Sequence, residues 1–403
     1  MKIHTYRCRF YPKKEFEKVL FENINAASFV YNKCLEQSIY HYKLSKQYNI
    51  GKGPYINRKY FNTILKLLKN DYPFLKEADA SCLQQSYERL IKAYERFFKI
   101  KGGYPKFKSI KNPNKSFTLK NTTFKTKKGD KKSTIRIENG KLRLNKLGYI
   151  TLKDNRKITG NIKQVTIKYE NNRWYAHIIH ETENIQKYPK TGKKIGIDVG
   201  IINFMTLSNG QVIKKPPLDK IDAKIIKYQQ KMSQQKKYGS NWKKTRKKLY
   251  KAINKKKDII NDYRHKVSTN IVKEYDFIAM ETLNIQGLMK NKHNSHNIQE
   301  SGWYTIKSMI KYKSDWYGKK FVTIDQWFPS SKKCSSCEYI FDNLKSNTRK
   351  WCCPKCKTIH DRDYNAAKNI LNEALRTEGT PGICLVDLLH VTEYYIIKSI
   401  NVA

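Results

Sequence analysis

Apolar residues recur over the first hundred positions at helical spacing. Phe16, Val19, Leu20, Ile24, Ala27, Val30, Tyr31 and Leu35 place an amphipathic helix over residues 15–45. An alternating, strand-like pattern at residues 2–10 precedes it and is stopped by Tyr11-Pro12. After a Gly-Pro interruption at Gly51–Pro54, further helices are expected at 56–69 and 78–100. In the second of these, Leu83, Leu90, Ile91, Tyr94, Phe97 and Phe98 share one face, and Arg89, Lys92, Arg96 and Lys99 fall mostly outside it. From Lys101 to Glu183 the period drops to two, in short runs such as SFTL and IRIENGKLRL separated by Gly, Asn and Lys turns. A small barrel or sandwich is predicted there. Residues 2–10 would be its first strand, the helices of 14–100 an insertion, and Trp174, Tyr175 and Ile178 part of its core.

The second half alternates strands and helices. KIGIDVGIINFMTLSNGQVI (194–213) reads as a buried strand, a turn at Gly200, a second strand, a hairpin at Asn209-Gly210 and a third. Two long helices follow over 218–273, broken near Gly239-Ser240-Asn241. YDFIAM (275–280) is a strand that delivers Glu281 at its end, and residues 284–301 are polar and rich in His and Asn. A helix over 302–318, a strand over 321–326 and a helix opening at Asp363 complete the pattern. Residues 385–403 carry no pattern that assigns an element.

Charge changes the picture most. The 403 residues hold 82 Lys+Arg against 34 Asp+Glu, a formal net charge of +48. Such an excess speaks of partners rather than fold, and phosphate is the partner it fits. Between Lys220 and Lys257 stand fifteen Lys or Arg and one Asp, a run that repels itself unless an anion lies against it. It reads as a surface tracking a duplex backbone, with Lys236, Lys243, Arg246 and Lys247 as candidate contacts. The 28 tyrosines add stacking surface for single-stranded bases. No stretch approaches ~18 apolar residues and no signal-peptide pattern opens the chain, so a cytoplasmic protein without a membrane partner is expected.

Five of nine cysteines fall in 334–356. Cys334/Cys337 and Cys353/Cys356 form two Cys-x-x-Cys pairs fifteen residues apart, a spacing that lets four thiolates close around one structural Zn²⁺. Cys352 is a spare, and Cys8, Cys34, Cys82 and Cys384 read as ordinary thiols. His360 is expected behind the ligands, since four cysteines suffice. Asp198 is a lone charge in an apolar strand, which burial permits only if it is paired or binds a metal. Asp198, Glu281 and Asp363 could converge from separate elements on two Mg²⁺ ions ~4 Å apart. Asp361 is the other candidate of the last motif; it is expected behind Asp363 or on the surface, with Asn365 orienting nearby groups and Arg362 facing a phosphate or Asp361. The order of elements is that of a ribonuclease-H-like α/β nuclease core.

Segments along the whole chain resemble the transposon-encoded TnpB family: RFYPKKEFEKVL, ASFVYN, LQQSYERLIKAYERFF, GYPKFK, GIDVGI, METLNI, GWYTIKSMIKYKSDWYGKKF, FPSSKKCSSC and CPKCKTIHDRDYNAAKNI. That family comprises RNA-guided DNA endonucleases related to miniature type V CRISPR effectors. The resemblance implies a multidomain α+β protein: a wedge β-barrel (1–13 and 101–187), a helical recognition lobe (14–100), a RuvC-like nuclease (188–328 and 358–385), a zinc-binding target-nucleic-acid-binding module (329–357) and a tail (386–403). It also implies a guide RNA made from the transposon end, one protein per guide RNA, double-stranded DNA as target, and cleavage beside a short flanking motif in a bacterium or archaeon. Gln84 takes the place where the lobe would meet that motif; glutamine can bond adenine in the major groove, and the position equally suits the edge of a core. Where the family often has an arginine, this chain reads Ala27-Ser28-Phe29. The alternatives are a miniature CRISPR effector and an RNA-guided repressor that binds DNA without cutting; the intact carboxylates argue against the latter.

Overall fold

The alternating start and the long apolar stripe behind it fold as their periods dictate. The computed structural model describes residues 2–49, 56–100, 102–109, 112, 115–125, 129, 131–152, 158, 160–182, 187–284, 287, 300–345 and 348–379, and the chain divides into two units near residue 184. The tail expected at 386–403, Cys384 and most of the polar stretch 284–301 lie outside the described residues.

In the N-terminal unit, β1 (Lys2–Phe10) leads into α1 (Lys14–Gln47), whose first turn sets Glu15 and Glu17 against the positive helix end. Asn57 caps α2 (Arg58–Asp71) by accepting from Tyr60 N at 2.9 Å, and Asp79 caps α3 (Ala80–Ile100) by accepting from Ser81 N at 2.8 Å. Val30, Leu35, Phe61, Leu65, Leu83 and Leu90 close a core among the three helices. Phe98, expected on that face, is instead exposed, its ring stacked on buried Tyr94.

Beyond α3 come β2 (Lys115–Lys120), the pair β3 (Thr123–Lys125) and β4 (Lys131–Ser133), the meander β5 (Arg136–Glu138), β6 (Lys141–Leu144) and β7 (Gly148–Thr151), and the long strands β8 (Asn161–Glu170) and β9 (Arg173–Thr182). The main sheet runs β1-β9-β8-β2, antiparallel throughout. The expected barrel does not close among the described residues. Leu20, Ile24 and Ala27 of α1, Cys82 of α3, and Leu142, Leu144 and Ile150 of the meander already cover the apolar side chains of the sheet, so burial needs no closure. Trp174, Tyr175 and Ile178 are buried.

In the C-terminal unit, β10 (Lys194–Asp198), β11 (Met205–Leu207) and β12 (Val212–Ile213) pair antiparallel. Gly210 turns the hairpin at φ +90°, a conformation only glycine adopts freely. Helices α4 (Asp219–Ser233) and α5 (Ser240–Glu274) lead to β13 (Phe277–Glu281), then α6 (Trp303–Tyr317) and β14 (Lys320–Ile324). The sheet order is β12-β11-β10-β13-β14, with β10, β13 and β14 parallel. A small pair, β15 (Lys350–Cys352) and β16 (Ile359–Asp361), precedes α7 (Arg362–Gly379).

Strand alternation assigns the two faces of this sheet. Ile195, Ile197, Ile278 and Met280 share a core with Ile271 of α5 and Trp303, Ile306 and Ile310 of α6. Phe277 and Ala279 pack instead with Ile370 and Ala374 of α7. Lys313 fastens α6 to α5, its Nζ donating to His265 O at 2.7 Å, Ser268 Oγ at 2.6 Å and Thr269 Oγ1 at 2.7 Å. No residue of α4 is buried, and the helix is held to α5 partly through Lys256 and Asp222 at 2.7 Å.

Candidate active site and metal centre

Gly196 and Asp198 are two residues apart on β10, and Phe277, Ala279 and Glu281 alternate likewise on β13, so both carboxylates leave their strands on the side that α7 covers. Ile197 pairs with Met280 in the parallel register, which sets Asp198 and Glu281 side by side at the strand ends. Gly196 permits the close approach of the helix: a Cβ there would lie 2.2 Å from Ala367 O and 2.7 Å from Leu371 N. Asp363 sits one turn before Ala367, in the first turn of α7, where its charge acts on Asp198.

Burial, then repulsion from Glu281 and Asp363, hold the Asp198 carboxyl well above the ordinary carboxylate range; Arg362 opposes them. Burial likewise raises Glu281, countered by Lys307 and a hydrogen bond with Ser330. Lys307 Nζ also donates to the Glu281 carbonyl at 2.9 Å, and burial depresses the lysine in turn. Asp363 Oδ1 accepts from Arg349 Nη1 at 3.2 Å. Asp361 is exposed and serves the helix instead, where its Oδ1 accepts from Tyr364 N at 3.0 Å and caps α7. Asp198, repelled by Glu281 and Asp363, offers with them hard oxygen donors of the kind Mg²⁺ takes, although among the described residues only the cysteines gather closely enough to hold an ion as they stand.

The cysteine site is built from two copies of one turn. Glu338 N donates to Cys334 O and Lys357 N to Cys353 O, each at 2.9 Å, and both Glu338 and Lys357 take positive φ, at 64° and 61°. Cys334 N to Tyr339 O at 2.8 Å and Cys353 N to Thr358 O at 2.9 Å close the two turns. The four sulfurs lie within 4.8 Å of one another, the one such group of metal-binding side chains among the described residues. Thr358, hydroxyl and backbone together, draws the Cys356 thiol down to about 6, toward the thiolate that a metal requires. The site fits Zn²⁺. His360 Nε2 stands 3.0 Å from Cys334 Sγ, behind the ligand, and Cys352 is exposed.

Sequence reasoning missed what joins the two sites. Asn365 Oδ1 accepts from Ser335 N at 2.9 Å and its Nδ2 donates to Lys333 O at 2.7 Å; Asn369 Nδ2 donates to Ser330 O at 2.8 Å and to Lys333 O at 2.5 Å. Both asparagines are buried on α7, one turn apart, and bolt the first cysteine turn to the helix that carries Asp363. The signal was two asparagines at i, i+4 on an otherwise apolar face. Among the other candidates, Gln84, Lys236, Lys243, Arg246 and Lys247 are exposed, and the Arg246 guanidinium lies 5.2 Å from both the Trp242 and Tyr250 rings. Arg362 Nη1 donates to Lys345 O at 3.4 Å.

With this geometry in hand, comparison finds a protein of Streptomyces pristinaespiralis, named as an RNA-guided DNA endonuclease, that is 32% identical over 92% of this chain and 89% of its own. The chain belongs to the TnpB family. A second TnpB-family relative, Escherichia coli K12 InsQ, also named as an RNA-guided DNA endonuclease, is 25% identical over 92% of each chain. Family descriptions match in three places: "Helix-turn-helix domain" at 1–47, "Probable transposase" at 177–292 and "Cas12f1-like, TNB domain" at 303–370. The first of these stretches folds here as a strand and one unbroken 34-residue helix. Among solved structures, a Cas12f1–sgRNA–target DNA complex aligns over 92% of this chain and 99% of its own, at TM-score 0.48 and 15% identity.

Proposed function

We propose that this protein is an RNA-guided, Mg²⁺-dependent endonuclease that hydrolyses target DNA beside a short flanking motif. What supports it most is that Glu281 and Asp363 both act on the charge of Asp198 at the end of a sheet of three parallel strands beside an antiparallel hairpin, the order expected of a ribonuclease-H-like RuvC core. Magnesium held by these carboxylates would supply a water activated for attack on phosphorus and offset charge on the departing 3′ oxygen. The chain's own residues prepare that place. Lys307 and Ser330 fix Glu281, Arg349 steadies Asp363, and Arg362 stands beside Asp198 where a phosphate would approach. The four cysteines would hold a structural Zn²⁺, and Asn365 and Asn369 tie the first cysteine turn to the start of α7.

The guide is an RNA from the transposon end, one per protein, and the +48 charge is what an RNA and a DNA duplex together would offset. Residues 14–100 serve as recognition lobe, 1–13 with 101–187 as wedge, 188–328 with 358–385 as nuclease, and 329–357 as the zinc module. Exposed Gln84 meets the flanking motif, and Lys236, Lys243, Arg246 and Lys247 track a backbone. The match of 303–370 to a Cas12f1-like domain favours a miniature CRISPR effector as the second reading. Sequencing the RNA that copurifies with the protein tests both. A transposon-end transcript followed by a variable guide, directing plasmid cleavage that Asp198→Ala abolishes, is expected; absence of any discrete RNA overturns the proposal.

A further inference from the structure

Arg89 and Lys108 are two half-buried cations of the N-terminal unit, close enough for the charge of one to act on the other. Arg89 Nη1 donates to Ser116 Oγ at 3.4 Å and Nη2 to Thr118 Oγ1, both neutral partners. Lys108 is aimed by Asn32 of α1, whose Nδ2 donates to Lys108 O at 3.0 Å and whose Oδ1 accepts from Lys108 N at 2.8 Å. Its Nζ sits 4.3 Å from the centroid of the Tyr31 ring. Among the described residues no carboxylate pairs with either cation. Burial depresses both, and beside Arg89 the lysine falls to about 8.

Two like charges taken partly out of water without a counterion weaken a fold, and apolar side chains of similar volume would fill the space at lower cost. The pair therefore points outside the chain. Lys108 and Lys115 line a cavity of about 420 Å³ with Asn25, Ser28, Phe29 and Phe74, a wall that contains no acid. Phe74 is 46% exposed, and its ring meets Phe29 edge-on. Cations and amides suit an anion; an open aromatic ring suits the base next to it.

We infer that this cavity receives one phosphodiester of a nucleic-acid strand, bound by Lys108 and Lys115 with Arg89 behind them and the adjoining base over Phe74. The site rests on the nucleic-acid-binding half of the function proposed above and lies outside the carboxylate cluster.

The test uses the full chain and labelled oligonucleotides, a single-stranded RNA and a duplex DNA, titrated over a range of salt. Lys108→Met should weaken one of them about tenfold and lower its salt slope by about 1. Whichever slope falls identifies the strand. The nucleic-acid-free variant should melt no lower than wild type, because a half-buried charge has gone. Unchanged slopes for both probes overturn the inference, whatever the melting point does. Should slope and melting point fall together, Lys108→Arg decides: a restored slope supports the site, and an unrestored one overturns it. The slopes are read in Mg²⁺-free buffer, where binding needs no cleavage, so this site and the nuclease proposal can fail separately.

Discussion

Gly196→Ala asks whether the approach of α7 sets the carboxylates. The new Cβ would stand 2.2 Å from Ala367 O, whereas carbon and oxygen come no closer than ~3.3 Å in ordinary contact, so strand and helix must part by about 1 Å. The obstruction is backbone, which a rotamer change cannot relieve. Overpacking of this kind costs about 1–3 kcal/mol. Asp363 rides on the displaced turn, and a 1 Å misplacement of a reacting group can cost on the order of 10²-fold in rate. The assay is single-turnover cleavage of a guide-matched plasmid by the purified RNA–protein complex, beside a thermal melt. A rate reduced by about 10² with Mg²⁺ saturating, and a modest fall in melting temperature, is expected. Cleavage within twofold of wild type would refute the idea that this contact positions the third carboxylate.

Asp198→Asn, Glu281→Gln and Asp363→Asn should each take plasmid cleavage below detection while gel-shift affinity for the guide RNA stays within a few-fold. Because the folded state raises the Asp198 pKa, it binds more protons than the unfolded chain, so in Mg²⁺-free buffer this residue's stabilising contribution falls as pH rises from the ordinary carboxylate range, ~4, through the raised value. Asp198→Asn should flatten that part of a denaturant-midpoint profile, and an unchanged profile would count against the assignment. His360→Ala removes the group 3.0 Å from Cys334 Sγ and should weaken Zn²⁺ binding about 10–100-fold in a chelator competition. Asn369→Leu strands the Ser330 carbonyl, while Lys333 O keeps Asn365, and should cost about 1–3 kcal/mol by chemical denaturation, with cleavage falling alongside.

Most of the frame was legible because its signals are local. Thirty-odd residues of regular apolar spacing specify α1, the cysteine spacing gives the two turns, and Asp198 betrays itself as a charge in an apolar strand. What escaped depends on contacts between distant segments. The barrel failed because α1 and the meander cover the sheet, which alternation inside a strand does not reveal. Arg89 reads as one more surface cation beside Lys92 and Arg96 until β2 is seen to lie over it. Sequence puts Asp361 behind Asp363 or at the surface, and only the structure gives it a task, accepting from the amide of Tyr364. Lys313 looks like a solvent-facing residue of an amphipathic helix, and its burial, like the partners of Asn365 and Asn369, is known only once the neighbouring segments are placed.

The position of α7, after every strand it covers, has a bearing on synthesis. A nascent chain halted before Arg362 has made Asp198 and Glu281 but leaves Phe277, Ala279 and Ile324 without their cover. Until that helix leaves the ribosome, the polypeptide lacks the third carboxylate and one face of its sheet stays open.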